Sequence, residues 1–157
     1  VHYDYPDVPL VEFDPAYTGG ESIGPEALLQ AAAQQVRGYL AGALQEFDVP
    51  LDLRGHTSFA LTVWAIAGKI PYAQTRTYAW IARQVGGSGQ GIYQAVGAAL
   101  GSNPIPLIIP CHRVLRTDGG LGGFSAPGGT AVKQRLLEQE QSVRPRRHEA
   151  RLASPLS

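Results

Sequence analysis

The first clear helical period in the sequence begins at Gly24-Pro25. Proline is favoured at the first position of a helix, and the apolar residues that follow recur at intervals of three and four. These residues are Leu28, Leu29, Ala32, Val36, Tyr39 and Leu40. The pattern predicts one long amphipathic helix packed on a core. Residues 1–22 show no period, so we expect irregular structure there, with at most a short strand at residues 9–13.

Three shorter helices are predicted in the middle of the chain. The first can be capped by Thr57 or Ser58 and stops before Pro71; its apolar face consists of Phe59, Val63, Ile66 and Ile70. The second covers residues 77–85 and ends at a pair of glycines, and the third covers about 90–100. Short helices joined by a glycine-containing turn favour a helix-turn-helix, whose second helix is presented to nucleic acid.

The last third of the chain combines rigid and turn-forming segments. The run from Leu107 to Ile109 lies between two prolines and favours a strand, and residues 114–124 contain turn residues typical of a hairpin or a loop. Thr130 can cap a final helix that carries Val132, Leu136 and Leu137. We therefore predict three parts: residues 1–51, a partial amino-terminal domain and connector; 52–140, a second domain; and 141–157, a flexible tail.

Composition narrows the class of protein. Hydrophobic residues make up 44% and charged residues 17% of the 157 residues, as in folded globular proteins. No apolar run approaches the roughly 18 residues of a membrane span, and residues 1–10 lack the features of a signal peptide, so we expect an intracellular protein without a membrane partner. The absence of methionine indicates that something upstream of Val1 has been removed or belongs to a longer polypeptide.

The net charge of zero hides a division along the chain. Residues 1–51 hold eight acidic side chains against a single arginine, whereas residues 52–140 hold eight basic side chains against four acidic ones. A basic second half is a weak electrostatic sign of a domain that binds a polyanion.

Cys111 is the only cysteine of the chain. It can form no internal disulfide, and a cysteine-based zinc site is excluded, so we predict no metal site. The thiol lies in Pro110-Cys111-His112-Arg113, where a neighbouring histidine or arginine can favour the reactive thiolate. The alternative is a buried, inert Cys111 with His112 and Arg113 on the surface.

The motif PCHRV, preceded by NPIPLII and followed by GGLGGFS, resembles the active-site signature of the O6-alkylguanine-DNA alkyltransferases, or methylated-DNA–protein-cysteine methyltransferases. SFALTVW, IPYAQTRTYAWIA, AVGAALGSNP and VKQRLLEQE match in register, so the resemblance covers about residues 47–140. It implies an α/β fold of the α+β kind: a carboxy-terminal, winged helix-turn-helix-like alkyltransferase domain after a shortened amino-terminal α/β domain.

The resemblance also implies roles for individual residues. Cys111 corresponds to the alkyl acceptor, His112 to the base that takes its proton through a bound water, and Glu140 to the acid that orients this histidine. Asn103 corresponds to an asparagine that tightens the turn before the active-site strand. Arg113 corresponds to a structural arginine, and we also place it among the residues near DNA.

Further correspondences concern the nucleic acid. The resemblance implies that Tyr78 presses on the target phosphate and that a pocket receives the flipped base, with the sulfur at its floor; the pocket residues are Pro106, Gly122, Gly123, Phe124 and Ser125. The expected DNA-binding residues are Thr77, Tyr78, Tyr93, Gln94, Ala95, Gly97 and Arg113.

Three departures from the family pattern stand out. Gln94 occupies the place of an arginine that fills the gap left by the flipped base, and we hypothesise that Tyr93 substitutes as a stacking wedge. Phe124 stands where a tyrosine is common, which removes one hydroxyl from the pocket. The amino-terminal domain is shortened and, without cysteines, cannot hold a Cys-ligated zinc.

The implied activity is a single, irreversible transfer of an alkyl group from O6-alkylguanine in double-stranded DNA to Cys111, without a cofactor. We expect a monomer, in the cytoplasm of a prokaryote or the nucleus of a eukaryote. Two alternatives stay open: a lesion-binding module that recruits other repair factors without reacting, and a Cys-His hydrolase or redox thiol. No second cysteine could resolve an oxidised Cys111, which disfavours the redox thiol.

Overall fold

The computed structural model describes residues 24–124 and 126–143. Its elements in chain order are α1 (Pro25–Leu40), α2 (Ser58–Gly68), β1 (Arg76–Thr77), α3 (Tyr78–Val85), α4 (Gln90–Gly101), a 3₁₀ helix (Cys111–Arg113), β2 (Val114–Leu115) and α5 (Gly129–Ser142). The fold is therefore mixed and mainly helical. The predicted strand at residues 9–13, Ser125 and most of the predicted tail lie outside the described residues. No described helix is long and apolar enough to span a bilayer.

The core lies between α2, α3 and α4. Val63, Ile81 and Val96 are fully buried, one from each of these helices. The indole Nε1 of the buried Trp64 donates a hydrogen bond of 2.8 Å to the carbonyl oxygen of Ala99, which fixes α2 against α4. Burying such apolar side chains stabilises the fold by about 1.5–3 kcal/mol each. These three helices form the rigid base on which the loops of the site are held.

Side-chain caps determine where two of the helices begin. The hydroxyl of Thr57 accepts a hydrogen bond of 3.2 Å from the amide of Ala60, so Thr57 is the cap of α2. Thr77 caps α3 in the same way, through the amide of Trp80 at 3.0 Å. The α3 helix ends at Gly86 with φ +91°, a left-handed conformation that glycine adopts without a steric penalty. The predicted bounds of α2, α3 and α4 are confirmed to within two residues.

A two-stranded parallel sheet joins distant parts of the chain. Arg76 pairs with Val114 and Thr77 with Leu115, so the segment that follows Cys111 lies beside the start of α3. Residues 114–124 form a loop rather than a hairpin: the amide of Arg116 donates to the carbonyl of Gly120 at 2.8 Å, and no described strand follows. This loop is thereby fixed next to the amino-terminal end of α3.

Two predictions about local structure are wrong. The run from Leu107 to Ile109 is a turn, not a strand, because Leu107 has φ +78° and the amide of Ile109 donates back to the carbonyl of Ile105 at 3.0 Å. Thr130 does not cap the last helix: α5 begins at Gly129, after Gly128 with φ +91°. A Cβ at Gly128 would come within 2.3 Å of Val132, so only glycine fits this entry.

The amino-terminal helix contacts both the connector and the last helix. Gln35 in α1 is hydrogen-bonded to the Asp48 side chain and accepts from the Asp48 amide at 3.0 Å. The side chain of Gln139 in α5 donates to the carbonyl of Tyr39 at 2.6 Å. The last helix continues through Ser142, two residues into the segment predicted as a tail. The division at residue 51 stays a prediction.

Candidate active site

The turn that leads to the thiol is held by Asn103. This side chain is buried and bridges the turn: its Nδ2 donates to the carbonyl of Ile109 at 2.9 Å, and its Oδ1 accepts from the amide of Ile105 at 2.9 Å. A buried amide that uses both of its ends in this way fixes the backbone on either side of it. The chain therefore enters the 3₁₀ helix at Cys111 in a defined direction.

Cys111 opens the 3₁₀ helix and is 5% exposed. Burial raises the pKa of its thiol, since the anion loses its hydration. A hydrogen bond from Asn103, the positive charge of Lys133 and the backbone amides of Cys111 and His112 oppose this rise. The resting thiol is therefore protonated, and it lies among groups that stabilise the thiolate once a base removes the proton.

Glu140 lies at the centre of a buried polar cluster. Its carboxylate is 1% exposed and accepts a hydrogen bond of 2.8 Å from His112 Nε2 and one of 2.6 Å from the hydroxyl of Tyr39. The guanidinium of Arg113 donates to both carboxylate oxygens, at 3.1 and 3.0 Å from Nε and at 2.8 Å from Nη2. The amide of Ala73 donates at 3.3 Å. Charged and neutral donors thus surround this carboxylate.

These donors determine the protonation of both Glu140 and His112. Burial alone would raise the pKa of Glu140, but the hydrogen bonds from His112 and Arg113 outweigh it and lower the pKa to about 2. An ionised carboxylate only accepts, so His112 Nε2 carries a proton. Burial lowers the pKa of His112, against the pull of Glu140, and favours the neutral ring. Its Nδ1 then has a free lone pair, and it is buried without a hydrogen-bond partner among the described residues.

Lys133 is a buried cation close to the thiol. Its side chain is fully buried, and Nζ donates to the carbonyls of Val114 at 2.8 Å and Gly123 at 3.3 Å. Burial lowers its pKa to about 8, while the negative charge of a Cys111 thiolate acts in the opposite direction. The ammonium also lies 5.9 Å from the ring centroid of Tyr78. Lys133 therefore ties the loop after the thiol to α5 and adds positive potential at the sulfur.

An open cavity of about 900 Å³ lies between α3, α4 and the loop of residues 116–123. Its lining includes predicted base-pocket and DNA-binding residues: Tyr78, Gly122, Gly123, Tyr93, Gln94 and Gly97. The hydroxyl of Tyr78 lies so close to Gly122 that a Cβ there would be 2.6 Å away, so this glycine makes room for the tyrosine. Arg83, Arg116 and Asp118 also line this cavity, and the guanidinium of Arg116 forms an ion pair of 2.8 Å with Asp118.

Cys111 is not among the residues that line this cavity, so the expectation that the sulfur lies at the floor of a base pocket stays a prediction. Pro106 and Phe124 are also absent from the lining, and Ser125 lies outside the described residues. Tyr78 lies between the cavity and the thiol. It lines the cavity, and it is close enough to Cys111 for the charge of a thiolate to add to the rise in the Tyr78 pKa that burial causes. Of the other predicted DNA-binding residues, Thr77 is taken up by its capping bond to α3, and Ala95, beside Gln94 on α4, is partly buried.

The prediction that Arg113 binds DNA is corrected by its surroundings. Its side chain is 8% exposed, and its guanidinium is occupied by Glu140 and by the carbonyl of Ile70 at 2.8 Å. The structural role that the sequence also indicated is the one observed. The reading of His112 and Arg113 as surface residues is wrong for the same reason, since both side chains are buried.

Two polar residues of the site, Lys133 and Tyr39, were missed by the sequence analysis. In α5, the positions i, i+3, i+4 and i+7 are occupied by Lys133, Leu136, Leu137 and Glu140, and all four are buried. This spacing on one helical face was a signal that the lysine faces the core. Tyr39 was interpreted only as part of an apolar stripe, and no local pattern indicates its bond to a residue 101 positions later.

No three His, Cys, Asp or Glu side chains within residues 24–124 and 126–143 are grouped as a metal site.

A family model described as the DNA-binding domain of 6-O-methylguanine DNA methyltransferase matches residues 58–142. This match covers more than half of the chain. The chain belongs to this family.

Relatives within the family are similar over most of the chain. The methylated-DNA–protein-cysteine methyltransferase of Mycobacterium tuberculosis is 49% identical over 114 residues, which are 73% of this chain but 66% of that protein. The chain thus spans just under two thirds of that relative's length. The enzyme of the same name from Methanosarcina barkeri is 43% identical over 71% of this chain and 67% of its own length.

Solved structures of the family are also similar. The crystal structure of Mycobacterium tuberculosis OGT in complex with DNA has a TM-score of 0.67 and 48% identity, over 74% of this chain and 70% of that one. The M. tuberculosis O6-methylguanine methyltransferase structure has a TM-score of 0.69 and 45% identity, over 85% and 77%. The matched family segment contains Cys111, His112 and Glu140, whereas Tyr39 precedes it.

Replacing Lys133 by methionine tests its effect on the thiol. Methionine keeps much of the volume but removes the buried positive charge, so the pKa of Cys111 should rise by about one unit and the thiolate at a given pH should fall roughly tenfold. The pH dependence of Cys111 alkylation, followed by mass spectrometry, measures this. Lys69→Met, at an exposed position, is the matched control and should leave the profile unchanged. If the pH dependence of Cys111 alkylation is unshifted in Lys133→Met, the charge of Lys133 does not lower the pKa of the thiol.

The Glu140→Gln variant tests the buried carboxylate. Removing the anion leaves the charge of Arg113 buried without its partner, which should lower the free energy of unfolding by about 3–5 kcal/mol at neutral pH. The pKa of Glu140 is lowered from 4.5 to about 2, so its stabilisation is present above pH 4.5 and is lost as the pH falls toward 2. The difference between variant and wild type should narrow over that interval in urea titrations. Glu138→Gln, at an exposed position of α5, is the control; a pH-independent difference would refute the expectation.

Proposed function

We propose that this protein repairs DNA by moving the alkyl group of an O6-alkylguanine onto Cys111 in one irreversible step. One observation carries the proposal: beside the lone thiol lies a neutral imidazole whose Nε2 proton is held by the ionised Glu140, so that Nδ1 is free to act as a base. Membership in a methyltransferase family supports alkyl transfer as the reaction of this thiol and this base. The nucleophile, base and orienter arrangement is the one used by activated cysteines in general.

In the proposed reaction a water bridges His112 Nδ1 and the sulfur, and the imidazole draws the thiol proton through it. The thiolate attacks the alkyl carbon, the new S–C bond forms as the C–O bond breaks, and the electron pair of that bond stays on the guanine oxygen. Guanine takes up a proton, which balances the one lost from the thiol. Because a thioether is not readily cleaved, each molecule acts once. The chemistry uses no cofactor.

The substrate has to leave the helical stack to react. A guanine O6 cannot reach a sulfur that is 5% exposed while the base stays paired, so the nucleotide is flipped at a cost of a few kcal/mol. In the proposed complex Tyr78 presses on the target phosphate and assists the rotation of the nucleotide. Pro106, Gly122, Gly123, Phe124 and Ser125 form the pocket that receives the flipped base.

In the proposed complex the protein binds DNA as a monomer. Helices α3 and α4 act as a winged helix-turn-helix, and α4 enters the DNA groove. No residue of α4 is charged, so in the proposed complex the phosphate contacts come from Arg83 and from Arg116, which is paired with Asp118 in the free protein. A relative, Mycobacterium tuberculosis OGT, has been crystallised in complex with DNA, which supports DNA as the partner. Tyr93 is 37% exposed and lies beside Gln94 at the cavity, a position suited to stacking in the gap left by the base.

Incubation with an oligonucleotide containing O6-methylguanine tests the activity. Intact and peptide mass spectrometry should find one methyl group per protein molecule, on Cys111, with no second turnover when DNA is in excess. Cys111→Ser should bind the same DNA and acquire no methyl group. If the wild type binds this DNA but is not methylated, the result would instead support a lesion-recognition module. If it neither binds the DNA nor becomes methylated, the result would support a different thiol chemistry.

Tyr93→Ala tests the wedge hypothesis. Loss of a base–aromatic stack costs about 1–3 kcal/mol, so affinity for the lesion duplex should fall about tenfold and the repair rate should fall with it. Fluorescence anisotropy and quenched-flow alkyl transfer measure the two effects. Tyr93→Phe keeps the ring and should behave like the wild type. Unchanged binding and rate in Tyr93→Ala would show that Tyr93 does not fill the gap.

A further inference from the structure

The hydroxyl of Tyr39 reaches Glu140 from outside the segment matched by the family model. It donates to Oε1 at 2.6 Å, and this oxygen is the one that also accepts the Nε2 proton of His112 at 2.8 Å. Tyr39 lies in α1, whereas the matched segment begins at residue 58. The helix of the amino-terminal part therefore contributes a donor to the polar cluster behind the thiol.

We infer that Tyr39 is a positioning residue: by sharing Glu140 Oε1 with His112, its hydroxyl limits how strongly the carboxylate attracts the imidazole proton and keeps His112 available as a base. The inference rests on the proposed function, in which neutral His112 takes the proton of Cys111. It also gives α1 a role in the chemistry of the second domain.

The direction of the Tyr39 bond follows from its surroundings. Burial, then the hydrogen bond and charge of Glu140, raise the pKa of Tyr39 far above its ordinary value, so the hydroxyl stays protonated over the working pH range. Since ionised Glu140 only accepts, Tyr39 always donates to it. Each donor withdraws negative charge from the shared oxygen, and the His112 proton is held correspondingly less tightly.

The ring of Tyr39 is locked in place by its neighbours. It stacks on Phe47 with centroids 5.5 Å apart and meets Tyr72 edge-on at 5.9 Å. Its side chain is fully buried, and its carbonyl oxygen accepts from Gln139 at 2.6 Å. A hydroxyl held this firmly acts on Glu140 with constant geometry, which is what a positioning residue requires.

Charged groups from each packed element act on His112. Glu140 of α5 favours the imidazolium, whereas Arg113 of the 3₁₀ helix and Lys133 of α5 disfavour it, as does burial. Cys111 adds negative charge only after it loses its proton. The hydroxyl of Tyr39 in α1 donates to the same carboxylate, whereas the Tyr72 hydroxyl makes no hydrogen bond to it. Removing the Tyr39 hydroxyl leaves Glu140 with more negative charge for the imidazole, so His112 should protonate at a higher pH.

The Tyr39→Phe variant of the full chain tests this inference by nitrogen-15 NMR of the histidines, with the His112 signals assigned by their loss in His112→Gln. We expect the pKa of His112 to rise by about one unit and Nε2–H to remain the neutral tautomer. The acid limb of the alkyl-transfer profile should move to higher pH by the same amount. The matched control is Tyr72→Phe, which removes a buried hydroxyl that has no hydrogen-bond partner among the described residues. An unshifted His112 titration in Tyr39→Phe, or an equal shift in Tyr72→Phe, would overturn the inference.

A second replacement keeps the test decisive if Tyr39→Phe does not fold. Incorporation of 3-fluorotyrosine at position 39 retains the ring and the hydroxyl but makes the hydroxyl a stronger donor. The pKa of His112 should then fall below that of the wild type, and a rise or no change would contradict the proposed role. The NMR titration needs no DNA, so it separates this inference from the proposed function. A wild type that fails to accept a methyl group while Tyr39→Phe shifts His112 would refute only the function.

Discussion

The buried carboxylate of Glu140 is the constraint on which the site depends. Moving an anion out of water costs several kcal/mol even after the protein relaxes, and this cost is offset only when every lone pair is satisfied. Here the donors come from α1, from the turn at Ala73 and from both His112 and Arg113. A change in the position of any one of these elements leaves part of a buried charge unsatisfied. The carboxylate thereby fixes α1, the 3₁₀ helix and α5 relative to one another.

The charges around Cys111 follow from this arrangement. Burial lowers the pKa of His112, and the charge of Arg113, which is paired with Glu140, acts in the same direction, so the imidazole is left neutral rather than cationic. Lys133 supplies the positive potential near the sulfur that a cationic histidine would otherwise supply. Because burial raises the pKa of the Cys111 thiol, the resting thiol is protonated and reacts less readily with electrophiles and oxidants than a thiolate would. In the proposed reaction the site separates two tasks: the neutral imidazole of His112 takes the proton, and the nearby ammonium of Lys133 stabilises the thiolate.

Local patterns predicted most of the helical framework. Periodicity, the capping threonines and the glycine stops located α2, α3 and α4, because short-range forces determine these boundaries. They failed at Leu107, where the bond between Asn103 and Ile109 forces a turn on a β-favouring sequence. They also failed at Thr130, where a positive φ at Gly128 starts α5 without a side-chain cap. In both places a contact or a backbone conformation specific to the folded chain overrides residue preference.

The candidate site was predicted unevenly for the same reason. The motif identified Cys111 and His112, and the resemblance supplied Glu140, but the partners that make the carboxylate workable come from far along the chain. Tyr39 is 101 residues from Glu140, and its hydroxyl had no signal among the apolar positions of α1. The burial of Lys133 could have been predicted from the sequence, since its spacing to Leu136, Leu137 and Glu140 places it on the buried face of α5.

The buried cluster is better explained by the chemistry than by stability. Replacing a buried ion pair by apolar residues of similar volume is often neutral or stabilising, so stability alone does not account for Glu140, Arg113 and His112 in a core. An apolar replacement could pack equally well, but it would leave His112 free to adopt either tautomer. An ionised acceptor at Nε2 leaves the lone pair on Nδ1, and in the role inferred for Tyr39 its hydroxyl keeps that acceptor from binding the imidazole proton too tightly. In the proposed mechanism, the cluster is retained despite its desolvation cost because it holds His112 in the one tautomer whose Nδ1 can act as a base.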